Sequence, residues 1–154
     1  MESVLIANRG EIAVRVIRAA RDLGLHTIAI YSEIDRDAVH TAMADEAWNV
    51  GPAPAAESYL NIERIIEIAR QSGADAVHPG YGFLAENARF ARRVIDADLV
   101  WVGPSPDAIA TMGDKIASRR AVTQAGVPGV PGTLEPLAAL YEVEAFAEEH
   151  GFPI

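Results

Sequence analysis

The sequence contains no cysteine, and this absence excludes several kinds of chemistry at once. Disulfide bonds, thiolate nucleophiles and cysteine-ligated zinc are all ruled out. Long apolar runs are also absent, since none approaches the roughly 18 residues that a membrane-spanning helix needs. Residues 1–6 have no basic residue ahead of their short apolar run, which argues against a signal peptide. We therefore expect a cytoplasmic protein that does not enter a membrane.

Positive charge is in deficit. The 154 residues include 13 basic and 22 acidic side chains, which gives a net charge of −9. A general affinity for nucleic acid is disfavoured, because phosphate binding requires a basic surface. Any phosphate site must then be local and built from a few residues. Half of the residues are apolar, enough to bury the core of one domain of ordinary size.

Short apolar runs alternate with amphipathic segments along the first hundred residues. The runs predict buried strands at 4–7, 27–31, 46–50, 76–78 and 99–102. Apolar residues spaced three and four apart predict helices at 11–23, 40–44, 62–71 and 88–97. Strands separated by helices pair in parallel through right-handed crossovers. The order predicts an α/β fold, namely an open, Rossmann-like, parallel sheet with helices on both faces.

The pattern changes after residue 104. Helices are predicted at 106–112, 115–125 and 142–150, with no strand between them and a turn-rich connector at 127–132. Residues 151–154 look like the start of another strand that then stops, so we expect a truncated chain. We divide the sequence into a domain at 1–112 and a helical linker with the start of a further region at 113–154.

The first predicted helix has two different faces. Its apolar stripe consists of Ile12, Val16, Ala20 and Leu23, widened by Ala13 and Ile17. Much of the opposite side carries three charged residues, which are Arg15, Arg18 and Asp22. Such a face is either solvated or a polar contact between subunits. Composition alone favours a solvated face.

In open α/β sheets, ligands bind beyond the carboxyl ends of the strands. The first loop there, residues 7–13, lacks the three-glycine fingerprint of dinucleotide sites, so a dehydrogenase is disfavoured. The loop at 78–87 follows a strand directly and combines glycines with Tyr81 and Phe83, and Asn87 is suited to cap the next helix. His78 is either a ligand or base or, more commonly, a hydrogen-bonded structural residue.

A further loop places a cation at the start of a helix. Gly113 ends one predicted helix and Asp114 can cap the next, so that Lys115 lies in its first turn. A cation there opposes the helix dipole, and such local conflicts often mark functional positions. A lysine ammonium suits a nucleotide phosphate. No catalytic triad, no carboxylate pair and no set of metal ligands is found at a recognisable spacing.

Five segments together resemble biotin carboxylases, in that family's order and spacing. They are residues 6–13 (IANRGEIA), 44–47 (ADEA), 58–61 (SYLN), 78–87 (HPGYGFLAEN) and 112–115 (MGDK). The resemblance extends over residues 4–154. It implies an enzyme that uses ATP and bicarbonate to carboxylate a protein-linked biotin. The sheet would then be the domain that precedes an ATP-grasp domain, of which residues 113–154 form the beginning.

The resemblance also implies roles for individual residues. Lys115 would contact the ATP phosphates, and Tyr81 and Gly82 would wall the pocket for biotin and bicarbonate. The helix face with Arg15, Arg18 and Asp22 would form a homodimer interface. Magnesium ligands and catalytic groups would lie further along the chain, so this segment alone is expected to be inactive.

The same resemblance implies two partners, a biotin carboxyl carrier domain and a carboxyltransferase subunit. Acetyl-CoA, propionyl-CoA and pyruvate stay open as the final carboxyl acceptor. Two alternatives also stay open: the front domain of another ATP-grasp ligase, and a non-catalytic dimerisation or regulatory module.

Overall fold

The computed structural model describes residues 1–133 and 135–154. The chain forms two compact units, Met1–Ile109 and Ala110–Ile154. The predicted division at residue 112, with a linker and the start of an ATP-grasp region beyond it, stays a prediction. No helix among the described residues is long and apolar enough to cross a membrane.

A five-stranded sheet forms the centre of the first unit. Its strands are β1 (Ser3–Ile6), β2 (His26–Ser32), β3 (Glu46–Gly51), β4 (Ala76–His78) and β5 (Val100–Trp101). They are arranged in the order β3-β2-β1-β4-β5, and every pairing is parallel. The predicted open parallel sheet is confirmed.

Helices cover both faces of the sheet, as predicted. They are α1 (Gly10–Asp22), α2 (Val39–Met43), α3 (Ile62–Gln71) and α4 (Ala88–Ile95). Alternate residues of β1 point to opposite faces, so that Leu5 joins a core with α3 and α4 while Val4 and Ile6 pack with α1. Two short 3₁₀ turns, Glu33–Asp35 and Ala55–Glu57, were not predicted.

The apolar stripe predicted for α1 is wrong in its centre. Ala13, Ile17 and Ala20 are the buried residues of the helix, whereas Leu23 is 75% exposed. The side that faces the sheet is rotated by about one residue from the predicted line. Leu23 lies beyond the helix as its C-cap, in the turn that leads into β2.

The second unit is helical where it has regular structure. Its helices are α6 (Lys115–Gln124) and α7 (Leu140–His150), and α5 (Pro106–Gly113) leads into it. The strand expected to begin at residues 151–154 is wrong, since these residues form no strand. A strand needs a neighbour to satisfy its backbone groups, and the pairings observed for the described residues involve only β1 to β5.

Candidate functional site

The strand order places a switch point between β1 and β4. From β1 the chain builds outward through β2 and β3, then crosses to the other side of β1 to form β4 and β5. Ile6 pairs with His78, so both strands end at the same level of the sheet. The loops that follow them therefore meet at the place where open α/β sheets bind ligands.

Asn8 fixes these two loops to each other. Its side chain is completely buried, and its Nδ2 donates to the carbonyl oxygens of Pro79 (2.8 Å) and Tyr81 (3.0 Å). Its Oδ1 accepts a hydrogen bond from the Arg9 amide at 2.9 Å. A buried amide with partners on both ends is costly to replace, because its partners would lose their hydrogen bonds. Asn8 thus sets the path of the backbone up to Tyr81.

Gly80 allows the two loops to approach closely. A Cβ at this position would lie 2.7 Å from both Asn8 Nδ2 and Ile12 Cγ2, and its φ of +66° also favours glycine. The Gly80 amide donates to His78 Nδ1 at 2.9 Å. Burial lowers the pKa of His78, which favours the neutral ring that can accept this bond. His78 therefore acts here as a structural residue of the turn.

An open cleft of about 450 Å³ lies between the two loops. It is lined by Asn8, Arg9, Gly10, Glu11, Ile12, Tyr81, Gly82 and Phe83. Tyr81 is 59% exposed, and its hydroxyl donates to the Glu11 carboxylate at 3.2 Å. Gly82 is exposed beside it with a φ of +69°, so its backbone is accessible to a ligand. The cleft combines an aromatic ring, exposed backbone and charged groups.

Arg9 and Phe83 connect the cleft to a polar cluster behind it. Arg9 donates to Asp35 at 3.2 Å, and its guanidinium lies over the rings of Tyr59 (5.6 Å) and Phe83 (5.8 Å). These two rings stack with their centroids 5.2 Å apart. Burial raises the pKa of Asp35, but hydrogen bonds from Tyr59, Arg9 and Ser32 outweigh this effect, so its pKa is lowered. Burial and this carboxylate raise the pKa of Tyr59 to about 12.

His40 supports the start of α1 from inside the protein. It is fully buried, with Nε2 3.1 Å from the Ile30 carbonyl and Nδ1 3.4 Å from the Gly10 amide, which donates to it. The side chain of Arg9, the N-cap residue, makes no capping hydrogen bond to the helix. Burial lowers the pKa of His40, so the ring stays neutral and keeps Nδ1 as an acceptor.

Comparison with known proteins matches the first unit to a defined family. The family described as "Biotin carboxylase, N-terminal domain" matches residues 1–109. The chain belongs to the biotin carboxylase family. This result favours the resemblance seen in the sequence over the alternative of another ATP-grasp ligase.

Curated relatives match the chain over nearly its full length. It is 57% identical over 151 residues to the biotin-dependent acyl-coenzyme A carboxylase alpha3 subunit of Mycobacterium leprae, covering 98% of this chain and 25% of that protein. It is 51% identical over 154 residues to biotin carboxylase 1 of Bacillus subtilis, covering 100% of this chain and 34% of that protein. The chain thus spans about a quarter to a third of the length of these relatives.

Solved structures of relatives have the same fold. One is the biotin carboxylase domain dimer of Hydrogenobacter thermophilus 2-oxoglutarate carboxylase, which was crystallised with MgADP, ADP and bicarbonate. Its TM-score is 0.89 at 49% identity, over 99% of this chain and 33% of that chain. Another, the biotin carboxylase subunit of pyruvate carboxylase, gives 0.84 at 51% identity, over 99% of this chain and 34% of that chain.

The other residues singled out in this biotin carboxylase segment belong to α1, α4 and α6. Lys115 is exposed in the first turn of α6, in the second unit, and its role in contacting the ATP phosphates stays a prediction. Asp114 caps that helix as predicted, its Oδ1 accepting from the Ala117 amide at 2.7 Å. Asn87 likewise caps α4 through the Phe90 amide at 3.0 Å, which confirms that prediction.

The charged face of α1 is exposed. Arg15, Arg18 and Asp22 have no ion pair with any residue in 1–133 or 135–154, whereas Arg21 pairs with Asp45 at 3.6 Å. Beside this face runs an apolar groove of about 610 Å³. Its lining includes Arg15 together with apolar side chains, among them Ile12, Val16, Ala19 and Leu23. The role of the three charged residues as a dimer interface stays a prediction.

Sequence reasoning missed the two groups that support the cleft from behind. Asp35 and His40 belong to no recognisable motif, and the partners that link them to the cleft, Tyr59, Arg9 and Gly10, are 24 to 30 residues away along the chain. Tyr59 lies in the SYLN segment that contributed to the resemblance, but no role was assigned to it. Its phenol hydroxyl was the one available signal, because a buried tyrosine usually needs a hydrogen-bond partner.

Proposed function

We propose that this chain is the N-terminal part of an ATP-dependent biotin carboxylase that carboxylates biotin carried on a protein. The cleft at the β1–β4 switch point, in a chain that matches the family throughout, is the observation that carries the proposal. In this reaction ATP phosphorylates bicarbonate, and the carboxyl group then moves to a ureido nitrogen of biotin. ADP and phosphate are the other products.

The cleft residues serve to bind rather than to react. Tyr81 offers an aromatic wall, with its hydroxyl held by Glu11, and Gly82 leaves backbone exposed for a polar ligand. An exposed amide without a neighbouring Cβ can donate to a ureido or bicarbonate oxygen. We assign Tyr81 and Gly82 to the wall of the biotin and bicarbonate pocket. No catalytic step is assigned to a residue of this chain.

The activity test uses two proteins. One is this chain alone, and the other, called the joined protein here, is this chain followed by the part of Bacillus subtilis biotin carboxylase 1 beyond the matched segment. We expect the joined protein to form ADP only with bicarbonate and biotin present, and the chain alone to form none. Turnover by the chain alone, or a folded joined protein without turnover, would contradict the proposal.

We assign Lys115 to the nucleotide phosphates. It is the only lysine of the chain and is exposed in the first turn of α6. In the joined protein, Lys115→Met is expected to raise the KM for ATP at least tenfold, whereas Lys115→Arg keeps the charge and has a smaller effect. ATP should also protect the Lys115 peptide from an amine-reactive label. Equal labelling with and without ATP would remove Lys115 from the site.

We assign the homodimer interface to the charged face of α1. Arg18→Glu in the joined protein should shift the mass in sedimentation equilibrium from dimer to monomer. Arg70→Glu is the matched control, because it makes the same change on an exposed position of α3. A dimer that survives Arg18→Glu together with Arg15→Glu would exclude this face.

The proposed reaction also requires magnesium and two protein partners. Among the described residues, no group of three or more His, Asp or Glu side chains is placed to hold a metal ion. We place the magnesium ligands in the part of the relatives beyond the matched segment. A biotin carrier domain would deliver the substrate, and a carboxyltransferase would take the product. The cytoplasmic location also stays a prediction.

A further inference from the structure

One carboxylate oxygen behind the cleft collects three hydrogen bonds. Asp35 Oδ2 accepts from the Tyr59 hydroxyl at 2.7 Å, from Ser32 Oγ at 3.0 Å and from Arg9 Nη1 at 3.2 Å. The donors come from three different segments of the chain. The Tyr59 hydroxyl also accepts from the Ser32 amide at 3.0 Å, so its position is fixed from both sides. Charged hydrogen bonds of this kind are stronger than neutral ones.

The ring of Tyr59 connects this hydrogen-bonded cluster to the loop that lines the cleft. Tyr59 is 1% exposed and stacks on Phe83, with an angle of 13° between the ring planes. Phe83 adopts a φ of +40°, a region that non-glycine residues rarely occupy. Such a backbone persists only where its surroundings hold it. The stack with Tyr59 and the overlying Arg9 guanidinium hold this ring, together with its packing against the apolar core.

The loop is therefore held on two sides of Tyr81 and Gly82. Asn8 binds the carbonyl of Tyr81 on one side, and the Phe83 ring is anchored on the other. Arg9 faces the cleft but is paired with Asp35, so its charge is already compensated. Its place over the two rings indicates that it stabilises the loop.

We propose that Asp35 is a positioning residue that holds the Tyr81–Gly82 segment in its ligand-binding conformation through Tyr59, Arg9 and Phe83. This inference rests on the proposed function of that segment as a wall of the biotin pocket. Asp35 touches no ligand in this account. Its carboxylate acts by keeping Tyr59 and Arg9 in place beneath Phe83.

Loss of the Asp35 charge should affect binding of biotin more than turnover. If the binding conformation falls to about one tenth of the population, the apparent KM for biotin rises about tenfold. Saturating biotin restores the population of the binding conformation, so kcat should stay within about twofold of its original value. The KM for ATP should not change, because the residue assigned to ATP is in the other unit.

The test has two arms, with Asp37→Asn as the control because Asp37 is exposed two residues from Asp35. In the first arm, hydrogen exchange is measured in the 154-residue chain. Asp35→Asn should speed exchange of the amides of residues 80–87 at least about tenfold while the amides of β1 and β4 stay protected. In the second arm, the joined protein is assayed with free biotin for the split between KM and kcat.

Tyr59→Phe is the complementary variant, because it keeps the ring stack and removes only the hydroxyl. It should shift exchange and KM in the same direction by less, and the double variant should resemble Asp35→Asn alone, since both changes break the same contact. If Asp35→Asn does not fold, Tyr59→Phe carries the test.

The outcomes separate this inference from the proposed function. A joined protein with no biotin-dependent turnover argues against the function, while the exchange arm still decides on the positioning role. Unchanged exchange of residues 80–87 in Asp35→Asn overturns the positioning role. Equal effects on the KM for biotin and the KM for ATP also overturn it.

Discussion

The two units of the chain differ in how they bury their apolar residues. In the first unit, α3 buries four residues and α4 buries three, on a sheet whose central strand β1 is buried from Val4 to Ile6. In the second unit, α6 buries none and α7 buries only Ala147. Large apolar side chains of that unit are exposed instead, among them Val127, Val130, Leu140, Tyr141 and Phe152.

This difference shows where the stability of the chain resides. A parallel sheet is stable when helices cover both of its faces, and the first unit meets that condition with its own residues. The helices of the second unit have little buried apolar area to offset the entropy lost on ordering. The first unit should therefore unfold cooperatively, and the second should open at a much lower cost.

Replacing one phenylalanine in each unit by alanine should give the largest difference between the units in the free energy of unfolding. Phe90 is fully buried and meets Trp101 edge to face at 5.5 Å, so Phe90→Ala should lower the free energy of unfolding by about 3–5 kcal/mol. Phe146→Ala should lower it by less than about 1 kcal/mol. Both tryptophans, Trp48 and Trp101, belong to the first unit, so urea titration followed by tryptophan fluorescence measures it. Equal losses would refute the contrast.

Proteolysis should reveal the same difference without a mutation. Trypsin is expected to cut after Lys115 and Arg120 in α6 at least about a hundredfold faster than after Arg15 and Arg18 in α1, because α6 opens more easily. All four residues are exposed, so accessibility in the closed state is matched. Mass spectrometry of early time points gives the order of cuts. First cuts in α1 would contradict the account.

The stability of the first unit should fall as the pH drops below about 6.5. The pKa values of His40 and His78 are lowered in the folded state, so below the unfolded value of 6.5 the unfolded chain binds more protons. Stability is complete above that value and is lost as the pH falls towards the folded pKa. Each proton contributes at most about 1.4 kcal/mol per pH unit.

Urea midpoints between pH 7.5 and about 5 measure this dependence. His40→Gln should flatten the slope, because one of the two protons is no longer taken up on unfolding. His150→Gln in the second unit is the control and should leave the unfolding of the first unit unchanged. A pH slope that is identical in His40→Gln and the original chain would show that His40 does not contribute.

The smallest contrast concerns helix caps. Asn87 and Asp114 each accept a hydrogen bond from the third residue of a helix, and removing such a cap costs about 1 kcal/mol. Asn87→Ala should lower the urea midpoint, whereas Asp114→Ala should lower only the helical signal in circular dichroism. A lower midpoint in both variants would mean that the two units unfold together.

The sequence was sufficient for the elements but not for their long-range contacts. Short apolar runs placed all five strands of the sheet, and apolar residues three and four apart placed the helices, because burial imposes these patterns. The two 3₁₀ turns were missed, and the strand predicted at 151–154 was wrong. The alignment of the α1 stripe was wrong, because the local pattern does not show which side of a helix meets the sheet.

The candidate site was predictable in part for the same reason. The loop at 78–87 could be predicted as a candidate ligand loop because it follows a buried strand and contains two glycines, and the structure places part of it along the cleft. Its pairing with Asn8 joins residues 71 to 73 positions apart and depends on β4 lying beside β1. Asp35 and His40 escaped notice because strand order and packing, rather than motifs, bring them to the site.

Transfer of label from bicarbonate to biotin tests the central claim most directly. The joined protein is incubated with isotope-labelled bicarbonate, ATP and biotin, and acid-labile label on biotin is counted. We predict ATP-dependent transfer by the joined protein and none by this chain alone. A folded joined protein that hydrolyses ATP without labelling biotin would contradict the claim that this chain supplies the wall of a biotin pocket.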